Sequence, residues 1–273
     1  MDKYETLHDG LRVALIATPK TAFWACSQNE NLRDVAERNT EKFDFAPVIG
    51  DDERILGVVE LAPYFDTAAP EQPVRQSTIA LGEEHLIGAD SSILDFIRDA
   101  DERRFRFVVS QSGVNGIVSL SDLQKLPVRA TLFSLVTALE IRMQEAIRKR
   151  LPNTKDWQAL ITRNRRNKIK ATIDLAQSAE GIVDELLFTQ FCDKREIIQQ
   201  SLLQQHSKRE NFISDVKRIE KLRNALAHAN TYAETTDQAV EVCRTVRSID
   251  AVQELLIETS RASAAETSRS ETP

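Results

Sequence analysis

The apolar pattern changes its period at Pro127, and that change constrains the fold more than any other feature of the chain. Before it, short apolar runs bounded by Gly, Pro and Asp alternate with short helical stretches. After it, Leu132, Leu135, Val136, Leu139, Met143, Ala146 and Ile147 keep helical spacing. The expected fold is therefore α+β in front and an all-α bundle behind. A length of 273 residues suffices for two compact domains and a tail. Charge divides at the same place: residues 1–128 carry a net of -9 and residues 129–273 a net of +3, which suggests two modules with different partners.

The front module, residues 11–127, reads as a duplication. Leu11–Ala17 and Ala22–Cys26 are expected strands, and Asn31–Asn39 a helix with Leu32, Val35 and Ala36 on one face. Phe45–Ile49 and Ile55–Val59 form a hairpin across the turn at residues 50–53, followed by a Pro- and Ala-rich connector, Ala68–Pro73. The order then recurs about 60 residues on, with helix Ile93–Ile97, strand Arg106–Ser110, a turn at residues 111–113, strand Gly116–Leu120 and a helix start at Ser121. Behind it, helical stretches are expected at Trp157–Gln177, Val183–Gln205, Arg209–Ala229 and Thr236–Glu258, the last capped by Thr235 or Thr236. These belong to a helical domain spanning 131–258. Residues 259–273 carry almost no bulky apolar side chains and are expected to be disordered.

Three scattered cysteines, Cys26, Cys192 and Cys243, show no metal spacing, and the four histidines do not cluster. No metal site is expected. The absence of a signal pattern or a long apolar run points to a soluble, cytoplasmic chain without a membrane partner.

The second copy of the repeat ends on Gly116-Ile117-Val118-Ser119-Leu120-Ser121-Asp122. Gly116 lets a ligand approach the backbone, Ser119 can donate to a phosphate or ribose hydroxyl, and Asp122 can accept from a ribose diol. This run resembles the signature of the CBS (cystathionine β-synthase) domain, a module of tandem units. The resemblance implies an adenine nucleotide as regulatory ligand at Gly116, Ser119 and Asp122. The first copy departs from it: Gly57-Val58-Val59-Glu60-Leu61-Ala62-Pro63 places Glu60 and Pro63 where Ser and Asp belong. A carboxylate repels phosphate, so at most one working site is expected. Packing against a twin is the alternative role for the pair.

Near the other end stands Arg223-Asn224-Ala225-Leu226-Ala227-His228. Guanidinium is a permanent forked phosphate donor and imidazole titrates near neutral pH, which makes the set fit for phosphate chemistry. The bland alternative is a helix end with a histidine near its last carbonyls. Phe212, Val216, Ile219, Leu222 and Leu226 form one apolar stripe, and Arg223 projects onto it. A buried guanidinium needs a partner, and Glu140 at the edge of the first helix's apolar face is the candidate.

A helical unit ending in this Arg-Asn-x-x-x-His run resembles the HEPN family, whose members dimerise and include metal-independent ribonucleases. That resemblance implies Arg223 as phosphate binder, Asn224 as its polar partner and His228 as acid/base, with no cofactor required for catalysis. An RNA 2′-hydroxyl would attack the adjacent phosphate. Five residues correspond to roughly 140° around a straight helix, so a homodimer that shares the site, or a distorted helix, is expected. A basic run, Arg163, Arg165, Arg166, Lys168 and Lys170, could hold RNA backbone. Together these readings describe a nucleotide-regulated, RNA-cleaving effector with a stress or defence role by analogy. The alternative is a non-catalytic, nucleotide-responsive regulator whose helical half binds a partner or RNA.

Overall fold

The computed structural model describes residues 10–177, 184–228 and 230–270, without the side chains of 176–177 and 262–270. One compact unit ends at Pro127, and the second takes the chain from Val128 onward.

The first unit is built from two copies of one topology. In the first copy β1 (Thr18–Pro19), β2 (Cys26–Ser27), α1 (Leu32–Glu37), β3 (Phe45–Ile49) and β4 (Ile55–Glu60) follow in order. The second copy repeats this as β5 (Thr78–Ala80), β6 (Leu86–Gly88), α2 (Ile93–Ile97), β7 (Phe105–Ser110) and β8 (Gly113–Ser119). The copies are not closed upon themselves. The sheets run β2-β3-β4-β5 and β1-β8-β7-β6, so each copy lends its leading strand to the other copy's sheet. Phe45 pairs with Glu60 across the first hairpin as Phe105 pairs with Ser119 across the second. Phe45 and Phe105 then touch one another, with ring centroids 5.1 Å apart.

Local signals explain the elements. Asn31 caps α1 by accepting from the Arg33 N–H at 2.9 Å. Ser92 and Asp95 form a reciprocal capping box on α2. Leu32, Val35, Ala46, Val48 and Val59 make the core of the first copy. Val58, Phe105 and Phe107, with Phe23 and Phe45 against them, make a second core.

Two glycines permit the strand exchange. A Cβ on Gly57, whose φ is +155°, would lie 1.9 Å from the Ile79 carbonyl oxygen of β5. On Gly116 it would lie 3.0 Å from the Thr18 carbonyl oxygen of β1.

Several sequence expectations for this unit are corrected. Leu11–Ala17 is not a strand: Val13–Leu15 is a 3-10 turn, which buries Val13 and Ile16 three residues apart. Within Ala22–Cys26, Ala22 closes another 3-10 turn and only Cys26 joins a strand. Ser121 opens no α-helix, since Leu120–Gln124 is a 3-10 turn. The connector Ala68–Pro73 packs against α1. Ala69 is buried, and the Gln72 carbonyl accepts from the Leu32 N–H at 2.8 Å.

The second unit is all-α. Its helices are α3 (Leu126–Arg150), α4 (Thr154–Ala159), α5 (Arg163–Gln177), α6 (Phe191–Ser201), α7 (Arg209–Ala227) and α8 (Thr236–Ser270). Leu132, Leu135, Val136, Leu139, Met143 and Ile147 are buried, as their spacing requires. The expected helix Trp157–Gln177 breaks into α4 and α5, where the Thr162 hydroxyl accepts from the Arg165 N–H at 3.4 Å. The stretch Val183–Gln205 also splits: Glu185–Phe188 is a 3-10 turn capped by Asp184, and α6 follows. Val183 and Ala229, expected ends of two helices, lie outside the described residues. Thr235 caps α8 by accepting from the Gln238 N–H at 3.3 Å. Helical backbone continues to Ser270, where disorder was expected from 259. Ala, Glu, Arg and Ser there are fair helix formers, and extending an existing helix fixes one residue per hydrogen bond gained. Residues 271–273 lie outside the described residues.

Polar pairs fasten the helices. Lys194 of α6 is buried and donates to Glu140 of α3 at 2.9 Å and to the Thr189 carbonyl at 2.6 Å. Arg218 of α7 reaches Glu241 of α8 at 2.8 Å and Ser248 at 3.0 Å, and Asp215 accepts from the same serine at 2.8 Å.

Candidate functional site

A cleft of about 400 Å³ opens in the first unit, and its walls include Thr18, Phe23, Trp24, Lys42, Asp44, Phe45, Ile117, Ser119, Asp122 and Lys125. The exchanged segment after β1 forms one wall, and the end of β8 forms the opposite one. Aromatic surface is supplied by Trp24 and Phe43, 5.8 Å apart. The Arg38 guanidinium lies 4.8 Å over the Trp24 ring and adds a cation–π contact.

Asp122 lines the cleft with 7% of its surface exposed. One carboxylate oxygen accepts from the Ser119 N–H at 2.6 Å, which makes Ser119 and Asp122 a capping box around the 3-10 turn Leu120–Gln124. The other oxygen binds Lys125 at 2.6 Å, and Lys125 also donates to the Ile16 carbonyl at 2.5 Å. Burial pushes the Asp122 carboxyl above its usual pKa, while Lys125 and Ser119 pull it back. Burial likewise raises Asp44, opposed by Arg104. The Ser119 hydroxyl also lies 3.5 Å from the Asp122 oxygen that accepts from the Ser119 N–H, and of the roughly four lone-pair positions of a carboxylate one is left for a ligand hydroxyl.

Ser119 and Asp122 thus share one cleft, whereas Gly116 has a different task. The Thr18 carbonyl and the Ala17 side chain crowd its Cα. It leaves room for the exchanged strand and is not among the residues that line the cleft. Lys125 and the aromatic wall were missed by sequence reasoning, and only the strand exchange places residues 18–24 opposite Ser119.

The repeat produces a twin opening of about 310 Å³, lined by Phe45, Glu60, Glu84, His85, Glu102, Arg104 and Phe105. Glu60 stands in the register position of Ser119 and pairs with Arg104 at 3.4 Å. His85 stacks on Phe105 with centroids 4.7 Å apart. Both linings carry three carboxylates, and the twin differs in having Glu60 where the first cleft has Ser119, with arginines in place of lysines.

In the second unit Phe212, Val216, Ile219, Leu222 and Leu226 are buried along α7, and Arg223 beside them is half-buried. Its guanidinium donates to the Asn224 side chain at 3.2 Å. Glu140 is not its partner, because that carboxylate neutralises the buried Lys194. A long arginine can carry its head out of an apolar stripe toward water, which removes the need for the expected counter-ion. α7 stops at Ala227, and His228 is the exposed cap residue. Arg129 is the residue that meets the last carbonyls, donating to Leu226 at 3.1 Å and to Asn230 at 2.6 Å. The same guanidinium lies 4.8 Å over the Tyr232 ring. Burial pushes the Tyr232 hydroxyl pKa up to about 12.

Within the basic run, Arg165 is engaged elsewhere. It grips buried Asp193 in a two-toothed pair at 2.8 and 2.6 Å. That corrects its assignment as an RNA contact. Arg163, Arg166, Lys168 and Lys170 are exposed, while Ile169 and Ile173 of the same helix are buried. Among the described residues no helix is long and apolar enough to cross a membrane, and no group of His, Cys, Asp and Glu could hold a metal ion.

No family model matches this chain, and no curated protein matches it. Solved structures of CBS domains are similar to part of it. The CBS domain of a bacterial CNNM/CorC-family Mg2+ transporter, in complex with ATP, shares 18% identity at a TM-score of 0.39, covering 46% of this chain and 93% of that one. A CBS-domain protein of unknown function from Thermoplasma acidophilum shares 20% identity at a TM-score of 0.35, covering 45% and 75%. The CBS domains of a transcriptional regulator from Streptococcus pneumoniae share 18% identity at a TM-score of 0.34, covering 41% and 96%. In its own topology the chain joins an α+β unit, duplicated with exchanged leading strands, to an all-α bundle.

Proposed function

We propose that the chain is a nucleotide-responsive regulator whose front unit binds an adenine nucleoside or nucleotide and whose helical unit engages a partner. The observation that carries this reading is Asp122, a buried carboxylate in the lining of a cleft that also carries Phe23, Trp24, Phe43 and Phe45. A ribose hydroxyl would donate to Asp122, Ser119 would meet a further hydroxyl or phosphate oxygen, and Trp24 or Phe43 would cover the base. Lys125 provides the coupling. It holds Asp122 and the Ile16 carbonyl together, and the next residue, Leu126, begins α3. A ligand that competes for Asp122 alters the restraint on that helix start. It acts as a switch only by binding one state more tightly than the other. Homodimers formed through the helical unit belong to this reading.

Hydrogen–deuterium exchange on the full chain tests it. Added AMP should protect residues 18–24 and 117–125 and change exchange in the first turns of α3, and Asp122→Ala should abolish each effect. Unchanged exchange at saturating AMP would overturn the reading.

A second reading retains ribonuclease activity, favoured by the Arg223–Asn224 hydrogen bond beside an exposed His228. Arg223 would stabilise phosphoryl charge and His228 would move the proton, with Arg163, Arg166, Lys168 and Lys170 near the RNA backbone. If so, His228→Ala lowers RNA cleavage by about a hundredfold or more, and cleavage survives EDTA. Equal rates in wild type and variant would dismiss this role.

A further inference from the structure

We infer that the cleft selects its ligand against added phosphates, taking a nucleoside or nucleoside monophosphate and rejecting the triphosphate. This inference rests on the nucleotide reading above. Its basis is the charge around the cleft. Three carboxylates, Glu41, Asp44 and Asp122, line it against two ammonium groups, Lys42 and Lys125. Lys125 is held by Asp122 at 2.6 Å and by the Ile16 carbonyl, so these two charges answer one another and Glu41 and Asp44 remain. Lys42 is exposed and lies 5.8 Å from the Phe65 ring. Arg104 acts on Asp44 from outside the lining, but it is also shared with Glu60 at 3.4 Å. Lys42 is left to meet anionic groups, with Glu41 and Asp44 flanking the same wall.

A single phosphate ester carries about -1.5 to -2 charges near neutral pH, which Lys42 and the Ser119 hydroxyl can receive. Further phosphates would project past Glu41 and Asp44. Like charges several ångströms apart at a protein surface repel, and the Arg38 guanidinium over Trp24 is already paired with Glu30 at 2.8 Å. No helix dipole is available either, because the turn after Ser119 is a short 3-10 segment. The base and ribose therefore provide the favourable contacts, and charge sets the limit on the tail.

Calorimetry on the full chain at low salt, in EDTA, with adenosine, AMP and ATP tests the inference. ATP should bind at least about tenfold more weakly than adenosine or AMP, and the gap should narrow as salt screens the carboxylates. Asp44→Asn and, separately, Glu41→Gln should each improve ATP binding about threefold or more while leaving adenosine unchanged. Glu41 is exposed, so Glu41→Gln tests charge without threatening the fold. ATP binding as tightly as adenosine, or variants that leave the ratio unmoved, would overturn the inference while the nucleotide reading stands. Failure of adenosine, AMP and ATP alike would overturn the nucleotide reading itself.

Discussion

Gly57→Ala should destabilise the front unit by roughly 3 kcal/mol or more, the range of severe overpacking. The added methyl would stand 1.9 Å from the Ile79 carbonyl oxygen and 2.9 Å from its carbon, both backbone atoms of β5. Backbone in a paired strand cannot swing away as a side-chain end can, so β4 and β5 must separate. The φ of +155° also disfavours any Cβ. Gly116→Ala should cost less, about 1 kcal/mol, because its nearest neighbour lies at 3.0 Å and can yield by tenths of an ångström. Urea melts followed by far-ultraviolet circular dichroism would separate the two. With two compact units in the chain, the transition of the front unit should move while that of the helical unit stays. Equal, small effects at both glycines would mean that the exchanged strands do not lie against them.

Glu140→Ala should be the most damaging polar substitution in the helical unit, at about 3 kcal/mol. Lys194 has 1% of its side chain exposed, and its ammonium is held by Glu140 and one carbonyl. Removing the carboxylate leaves a buried charge with one neutral acceptor. Lys194→Met should cost less, since Glu140 is 23% exposed and water can reach the abandoned carboxylate. Combining Glu140→Leu with Lys194→Met should recover most of the loss, because apolar replacement of a buried pair is often close to neutral. Thermal melts of the three proteins give the comparison, and an order in which Lys194→Met is the worse single change would contradict it.

The sequence displayed what is local and periodic. The repeat, the Gly57/Gly116 and Glu60/Ser119 correspondence, the hairpins and the apolar face of α3 were all legible, because each depends on spacing within a few turns or one register. Strands β1, β2, β5 and β6 have two or three residues each, too few to show alternation, and β1 finds its partner, β8, at the other end of the unit. Hence the strand exchange was invisible, and with it the reason for Gly116 and the presence of Trp24 opposite Ser119. Ionic partners were equally hidden. Glu140 was assigned to Arg223 by its place on a helix wheel, yet a wheel cannot reveal that Lys194 arrives from α6. Arg165 looked like part of a solvated basic run until α6 brought Asp193 beneath it. Arg129 shows no pattern in sequence, because its carbonyl partners lie about a hundred residues further along.

Whether one cleft of the duplicated unit, and not its twin, receives a nucleoside is settled most directly by calorimetric titration of the full chain with AMP. A single site per chain should appear, and Asp122→Ala should remove it while Glu60→Ala leaves its affinity unchanged. No heat of binding, or a second equivalent site per chain that survives Asp122→Ala, would contradict the assignment of the ligand to the cleft at Ser119 and Asp122.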